Sequence, residues 1–278
     1  MNKILLKFII FVGTFFISVI AFGADFFNDV AIGDLNAIKV YINNKNDINT
    51  KDKYGRTALM FASLYGQTDC VKLLINSKAD LNAGNNHGWS ALMFAVSQGH
   101  SDIVKLLIDA KSDINAKNIY GETALTPAIA FGKFDCIKLL INAKADLNIK
   151  DDNGNTALIT AVWHGRADIV KLLISANANI NAKNKSGNNA LIFAAWQGFP
   201  DCLKLLVDAK AEINAKNDKG STPLIIAAKY NQADCVKLLI NAKADLNIKT
   251  KDGQTALMMA EQNKNNEIMK MIKTTGAR

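Results

Sequence analysis

The chain has 278 residues, of which 49% are hydrophobic, and 33 Lys and Arg residues against 25 Asp and Glu give a formal net charge of +8. Only three of the basic residues are arginine, the forked donor that phosphate and base recognition favours, so the positive charge does not indicate nucleic-acid binding. The four cysteines and three histidines form no C-x-x-C or H-x-x-x-H cluster, which argues against a zinc site.

Residues 1–23 have the pattern of a secretory signal peptide. Lys3 and Lys7 precede an apolar run that extends from Phe8 to Phe22 and ends at small residues before Gly23. The alternative is an uncleaved anchor, but the apolar run is shorter than the roughly 20 residues that a membrane span needs. The sequence therefore predicts export to the periplasm or beyond, with no stable membrane anchor after cleavage.

Residues 24–52 form an irregular first unit. Its Gly33 and Lys39 lie 33 residues before Gly66 and Lys72, so it shares the spacing of the units that follow although it lacks their glycine turn. We predict an N-terminal capping repeat.

The remainder of the chain is periodic. A G-x-[TS]-A-L-like turn recurs every 33 residues, and we call its first residue the landmark glycine: Gly55, Gly88, Gly121, Gly154, Gly187, Gly220 and Gly253. Internal repeats begin near residues 53, 86, 119, 152, 185 and 218, a more polar C-terminal capping repeat spans 251–273, and a tail spans 274–278. A fixed period of this size is typical of a solenoid.

Each unit is predicted to contain two helices. The hydroxyl or amide residue two positions after the landmark glycine can cap the first helix, as at Thr57, and a second glycine such as Gly66 can end it. The second helix opens with an aspartate followed three residues later by a lysine, as at Asp69 and Lys72. Its two apolar sides indicate that every unit is packed between two neighbours.

The unit G-x-T-A-L-x-x-A, then G, then D-[IC]-V-K-L-L-I and A-D-[IL]-N closely resembles the ankyrin repeat, over about residues 25–273. The resemblance implies an all-α repeat solenoid of paired antiparallel helices joined by β-hairpin-like turns. Three features depart from the family pattern. Lysine replaces the glycine that commonly ends the second helix in all but two units, and mostly apolar residues such as Met60 replace the family's usual histidine in the first helix. In addition, Pro127 lies inside a first helix.

The resemblance also implies a concave face, formed by turn tips and the exposed ends of the first helices, that contacts a partner protein. The positions that vary there hold all three tryptophans and most of the tyrosines. The predicted partner-binding residues are Tyr54, Arg56, Tyr65, His87, Trp89, Tyr120, Glu122, Phe131, Trp163, His164, Trp196 and Tyr230. An alternative for Trp163 and Trp196 is that they stack and seal the groove between their helices.

Catalysis is not indicated. The histidines lie in three different units, and no nucleophile elbow, phosphate-binding loop or paired-acid constellation occurs. We therefore expect an exported, non-catalytic protein-interaction module without cofactor or metal. The alternatives are an envelope accessory or stress-protective factor that holds a client, and a structural rod that self-associates.

Overall fold

The computed structural model describes residues 26–276, within which the chain forms sixteen helices in eight antiparallel pairs. The first helices of the pairs are α1 (Phe26–Ile32), α3 (Ala58–Tyr65), α5 (Ala91–Gln98), α7 (Leu125–Ala130), α9 (Ala157–Trp163), α11 (Ala190–Gln197), α13 (Pro223–Lys229) and α15 (Ala256–Gln262). The second helices are α2 (Leu35–Asn43), α4 (Thr68–Asn76), α6 (Ser101–Asp109), α8 (Phe134–Asn142), α10 (Ala167–Ser175), α12 (Pro200–Asp208), α14 (Ala233–Asn241) and α16 (Asn266–Thr274). The predicted signal peptide lies outside the described residues.

The helices form two layers with one continuous core between them. Each first helix packs against the first helices before and after it and against its own second helix, and the second helices pack on one another less extensively. Alanines such as Ala62 and Ala95, both fully buried, permit the closer approach in the first layer. A stack that is narrower along one layer curves toward that layer, which favours curvature toward the first helices.

The predicted helix caps are confirmed in five units and fail in two. The side chains of Thr57, Ser90, Asn189, Thr222 and Thr255 each accept a hydrogen bond from the amide three residues later. Thr156 makes no such bond. Thr123 is displaced because α7 begins one residue late, at Leu125, and the helix containing Pro127 is only six residues long.

At the ends of the second helices, lysine occupies a left-handed backbone conformation. Lys78 has φ +66°, its amide donates to the Ile75 carbonyl, and the Ala79 amide donates to the Leu74 carbonyl. These two bonds are those of a Schellman motif, which normally contains glycine at this position. The predicted Asp–Lys pairs within the second helices are formed at Asp69–Lys72 and Asp135–Lys138. In α6 and α12 the lysine instead pairs with the aspartate four residues after it.

The turns that precede the first helices are hairpin-like, as predicted, although no strand is assigned within residues 26–276. In the first of them the Asp52 amide donates to the Arg56 carbonyl at 2.9 Å, and the side chain of Asp52 accepts from the amides of Tyr54 and Arg56. Successive turns are joined by backbone bonds, beginning with the Asn86 amide and the Tyr54 carbonyl at 3.0 Å. The turn tips therefore form one continuous ladder.

A second ladder joins the repeats at the A-D-[IL]-N segment. The side-chain oxygen of each asparagine accepts from the amide 31 residues later, as in Asn148 to Asn179 at 2.8 Å. The other accepting side chains are Asn49, Asn82, Asn115, Asn181 and Asn214. These bonds tie each loop to the next without using the landmark turns.

The four cysteines are buried and unbridged. Within residues 26–276, no helix has both the length and the apolar character that crossing a membrane requires.

Candidate partner-binding face

The turn tips and the C-terminal ends of the first helices form the surface that we call the inner wall. Its most continuous feature is the aromatic ridge, defined as Trp163, Phe193, Trp196 and Tyr230. Trp163 meets Trp196 edge to face with ring centroids 5.8 Å apart, and Trp196 lies 5.8 Å from Tyr230. These residues come from the consecutive first helices α9 and α11 and from the end of α13.

The contact between Trp163 and Trp196 agrees with the stacking alternative. Both indoles nevertheless remain partly accessible, and Tyr230 is 42% exposed. The ridge therefore both fills the groove between its helices and presents aromatic surface to solvent. The Lys229 ammonium lies 5.8 Å from the Tyr230 ring centroid, so the ridge ends beside a positive charge.

The expectation of an exposed Trp89 is wrong, and so is that of an exposed Arg56. Their side chains belong to residues only 5% and 7% exposed, respectively. The Trp89 ring packs against Phe94 with centroids 5.3 Å apart, and the Arg56 guanidinium lies 4.3 Å from the Phe61 centroid.

The reason for this burial is local. The residue after the landmark glycine leads into the first helix, and its side chain reaches the residue five positions later, which is Phe61 or Phe94 in these two units. Arg56 is also held by Asp52, with a guanidinium-to-carboxylate distance of 2.6 Å. This position therefore belongs to the core of the turn rather than to a free surface.

Tyr65 and Phe131 are half-buried at the ends of α3 and α7. The Tyr65 ring stacks on Phe61 at 6.3 Å, and burial raises the pKa of its phenol, an effect that the nearby Arg56 charge partly offsets. Both predicted residues therefore lie on the inner wall. Tyr65 is several repeats away from the ridge, whereas Phe131 follows α7, the helix that packs on α9.

Besides Tyr65, two predicted residues have a shifted pKa. Burial raises the pKa of the Glu122 carboxyl, and Asp151 and Asp152 raise it further, while a hydrogen bond from Asn118 opposes them. Burial lowers the pKa of His164, with a smaller contribution from Arg166. His164 therefore favours its neutral form, whereas Glu122 lies in a locally negative environment.

The remaining predicted residues, Tyr54, His87 and Tyr120, occupy equivalent positions in the first three turn tips. Tyr54 is 45% and Tyr120 is 52% exposed, and His87 is half-buried. Sequence reasoning missed Phe193 as a member of the ridge because it lies at a position that other units use for the core. Within residues 26–276 no group of three His, Cys, Asp or Glu side chains could hold a metal ion.

The fold and this face define a helical repeat solenoid whose variable residues lie on one wall of a regular scaffold. A family model that describes three consecutive ankyrin repeats matches the chain at residues 27–118, 110–184, 132–217 and 191–278. The chain therefore belongs to the ankyrin repeat family. A search of the curated proteins found no match. Ankyrin repeats are generally protein–protein interaction modules, and proteins built from them are typically non-catalytic.

Proposed function

We propose that this protein is an exported, non-catalytic interaction module that binds a partner protein through its inner wall. The observation that carries the proposal is the aromatic ridge, in which Trp163, Trp196 and Tyr230 are in ring contact and still partly accessible. Large aromatic side chains are the commonest energetic anchors of protein interfaces.

The packing of the ridge supports this function. Each ring is already held by its neighbours at 5.5 to 5.8 Å, so that little side-chain freedom is lost when a partner covers it. Immobilising a flexible side chain at an interface costs about 0.5 to 1.5 kcal/mol. A rigid aromatic surface avoids most of that cost.

Export is supported by residues 1–23 alone, with their lysines, apolar run and small residues before Gly23. The proposal places the mature protein in the periplasm or outside the cell, without cofactor or nucleic-acid ligand. Mass spectrometry of the protein from the producing cells is expected to show a mature chain that starts close to Gly23. Recovery of the intact chain from the cytosol would overturn this part of the proposal.

The binding function can be tested by affinity capture of proteins from the envelope and culture fluid. The test variant combines Trp196→Ala with Tyr230→Ala, and the matched control is Val40→Ser, because Val40 is 58% exposed but lies on α2, away from the ridge. Circular dichroism confirms that both variants retain the native helix content.

The expected result is one saturable partner that the wild type and Val40→Ser retain and the ridge variant loses. Truncation of an interface anchor typically costs 2 kcal/mol or more, so we expect its affinity to fall by roughly 30-fold or more. Equal capture by all three proteins would refute the role of the ridge. Self-association that rises with concentration and is unaffected by the ridge variant would favour the structural rod instead.

A further inference from the structure

The first four turn tips form a separate feature of the inner wall, which we call the tip row. Tyr54, His87 and Tyr120 occupy the same place in three successive tips, and the fourth tip contributes Asp152. The carbonyls of Tyr54, His87 and Tyr120 each accept a backbone amide from the next tip, at 3.0, 3.1 and 3.0 Å. The spacing of the side chains along the row is thus fixed by the backbone.

The first and the third tip of the row present apolar surface to solvent. Tyr54 is 45% exposed, Ile119 is 55% exposed and Tyr120 is 52% exposed. The Tyr54 ring is supported by the Arg56 guanidinium, 4.9 Å from its centroid, and the Tyr120 amide is held by the Asn118 side chain at 2.9 Å. The Tyr54 ring therefore has a supporting cation, and the Tyr120 side chain extends from a fixed backbone.

The formal charge of the tips changes sign along the row. The first tip, residues 52–56, carries one net positive charge because Lys53 and Arg56 outweigh Asp52. The second tip, 85–89, is neutral, and the third, 118–122, carries the one negative charge of Glu122. The fourth tip, 151–155, carries the two negative charges of Asp151 and Asp152.

The negative end behaves as one local cluster. The Glu122 carboxylate accepts a hydrogen bond from the side-chain amide of Asn118 at 2.7 Å. The negative charges of Asp151 and Asp152 are close enough to raise the pKa of Glu122. No tip residue of residues 118–122 or 151–155 is basic, so the three carboxylates have no cation of their own tips beside them. A cation supplied from outside would relieve this mutual repulsion.

We propose that the tip row binds an extended segment of the partner that is acidic at one end, apolar in its centre and basic at the other end. The acidic end lies toward Lys53, the apolar side chains cover Tyr54, Ile119 and Tyr120, and the basic end lies over Glu122 and Asp152. The proposal rests on the proposed function, since it specifies the chemistry of the partner that the inner wall takes.

The length of the segment follows from the repeat spacing. Helix layers pack about 8 to 10 Å apart, so three steps along the row span about 24 to 30 Å. An extended chain rises about 3.3 Å per residue, and the segment therefore needs about eight or nine residues. Such a segment is short enough to be tested as a synthetic peptide.

The probe is a fluorescent peptide of about nine residues, with two aspartates first, alternating leucine and glutamine in the centre, and two lysines last, blocked at both ends. One control peptide has the same centre with aspartates at both ends, and the other has lysines at both ends. Exposed ion pairs contribute little each, so we expect wild-type protein to bind the probe about five- to twentyfold more tightly than either control in dilute salt. The preference should shrink in about 1 M salt because the charges are then screened.

Two protein variants make the test specific. Lys53→Glu makes both ends of the row negative and is expected to shift the preference to the peptide with lysines at both ends. Asp152→Lys, with Asp151→Asn and Glu122→Gln, makes the negative end positive and is expected to shift the preference to the aspartate peptide. Tyr120→Ser should weaken the binding of all three peptides, whereas Val40→Ser on α2 should leave the binding of each peptide unchanged.

Equal binding of the three peptides by wild type, binding of none, or preferences that the charge variants leave unchanged would overturn the inference. The proposed function is tested independently, because the ridge variant and the captured partner do not depend on the tip charges. Suppose that the partner protein is no longer captured by the ridge variant but is still captured by Lys53→Glu, and that the peptide test fails. This result would refute binding at the tip row and leave the proposed function intact.

Discussion

The strained lysines at the ends of the second helices give a prediction about stability that can be worked from the backbone. Six lysines lie at φ between +57° and +69°: Lys45, Lys78, Lys111, Lys144, Lys210 and Lys243. All six are exposed, so their replacement changes the backbone energy and little else. We consider the triple variant Lys78→Gly, Lys144→Gly and Lys210→Gly, whose sites are two repeats apart.

Two opposing contributions determine how much each Lys→Gly substitution changes the free energy of unfolding. A non-glycine residue in the left-handed region costs about 1 to 2 kcal/mol, and glycine removes that cost. Glycine also loses about 0.4 to 1 kcal/mol more conformational entropy on folding. The net gain is therefore about 0.5 to 1 kcal/mol per site, and about 1.5 to 3 kcal/mol for three sites that are too far apart to interact.

Urea unfolding followed by circular dichroism measures this gain. The triple variant should unfold at a higher urea concentration than wild type with an unchanged m-value, which is the mark of a stability change without a change in surface exposure. Asn177→Gly is the matched control at the equivalent position, where φ is +63°. Because asparagine tolerates this conformation, Asn177→Gly should stabilise the protein less than the average Lys→Gly substitution of the triple variant does. A triple variant no more stable than wild type would refute the claim that these helix ends store strain.

Two further predictions concern buried positions. Gly187→Ala should destabilise the protein by about 1 to 3 kcal/mol more than Gly253→Ala in the same urea assay. Both glycines have positive φ, but an added Cβ at Gly187 would lie 2.7 Å from a backbone nitrogen of the next turn, whereas Gly253 has nothing within 4 Å. Burial, with smaller effects of neighbouring charges, raises the pKa of Cys202 to about 11 and that of Cys235 to about 12. Since the fold favours the protonated thiols, their stabilisation is complete below the unfolded value of about 8.5 and is lost as pH rises through 11 and 12. The urea midpoint should therefore fall above about pH 8.5, and less so in a double Cys→Val variant.

The helix pairs could be predicted from the sequence because the same local signals recur in every unit. A landmark glycine, a capping residue such as Thr57 and an apolar second helix each restrict the backbone, and seven copies make a chance match improbable. Of the two failed caps, Thr156 lies in a unit that keeps the pattern, and nothing in the structure explains its missing bond, whereas Thr123 lies in the one unit that breaks the pattern. Pro127 has no amide to donate, so α7 starts late and Thr123 loses its role as a cap.

The exposure of individual site residues could not be predicted from periodicity. Trp89 and Trp163 both lie at variable positions of the predicted inner wall, yet Trp89 is buried and Trp163 is partly accessible. The difference depends on where each ring lies. Trp89 follows the landmark glycine and packs back on Phe94 of its own first helix, whereas Trp163 ends α9, where Phe193 and Trp196 cover it only in part. That information lies in pairs of residues five positions apart, which an inspection of single positions does not compare.

The sequence shows the asparagines of the ladder but not the groups that they bind. Asparagine recurs at the end of A-D-[IL]-N in unit after unit, and a polar residue repeated at one position suggests a polar partner repeated at another. The partner is a backbone amide of the next unit, such as that of Asn179 for Asn148. Because every residue except proline has a backbone amide, the sequence identifies the asparagine of each pair but not its partner.

The two ladders also explain how the inner wall can vary without loss of the fold. Neighbouring units are joined by backbone amides at the turn tips and by asparagine side chains in the A-D-[IL]-N segments that precede the tips, so the bonds between units place few demands on the side chains of Tyr54, His87 or Tyr120. Those positions can therefore differ between units while the spacing stays fixed. The residue after the landmark glycine has no such freedom where it packs on its own helix, as Arg56 and Trp89 do. Binding specificity should accordingly depend on the tip and ridge residues, and substitutions after the landmark glycine should act mainly through stability.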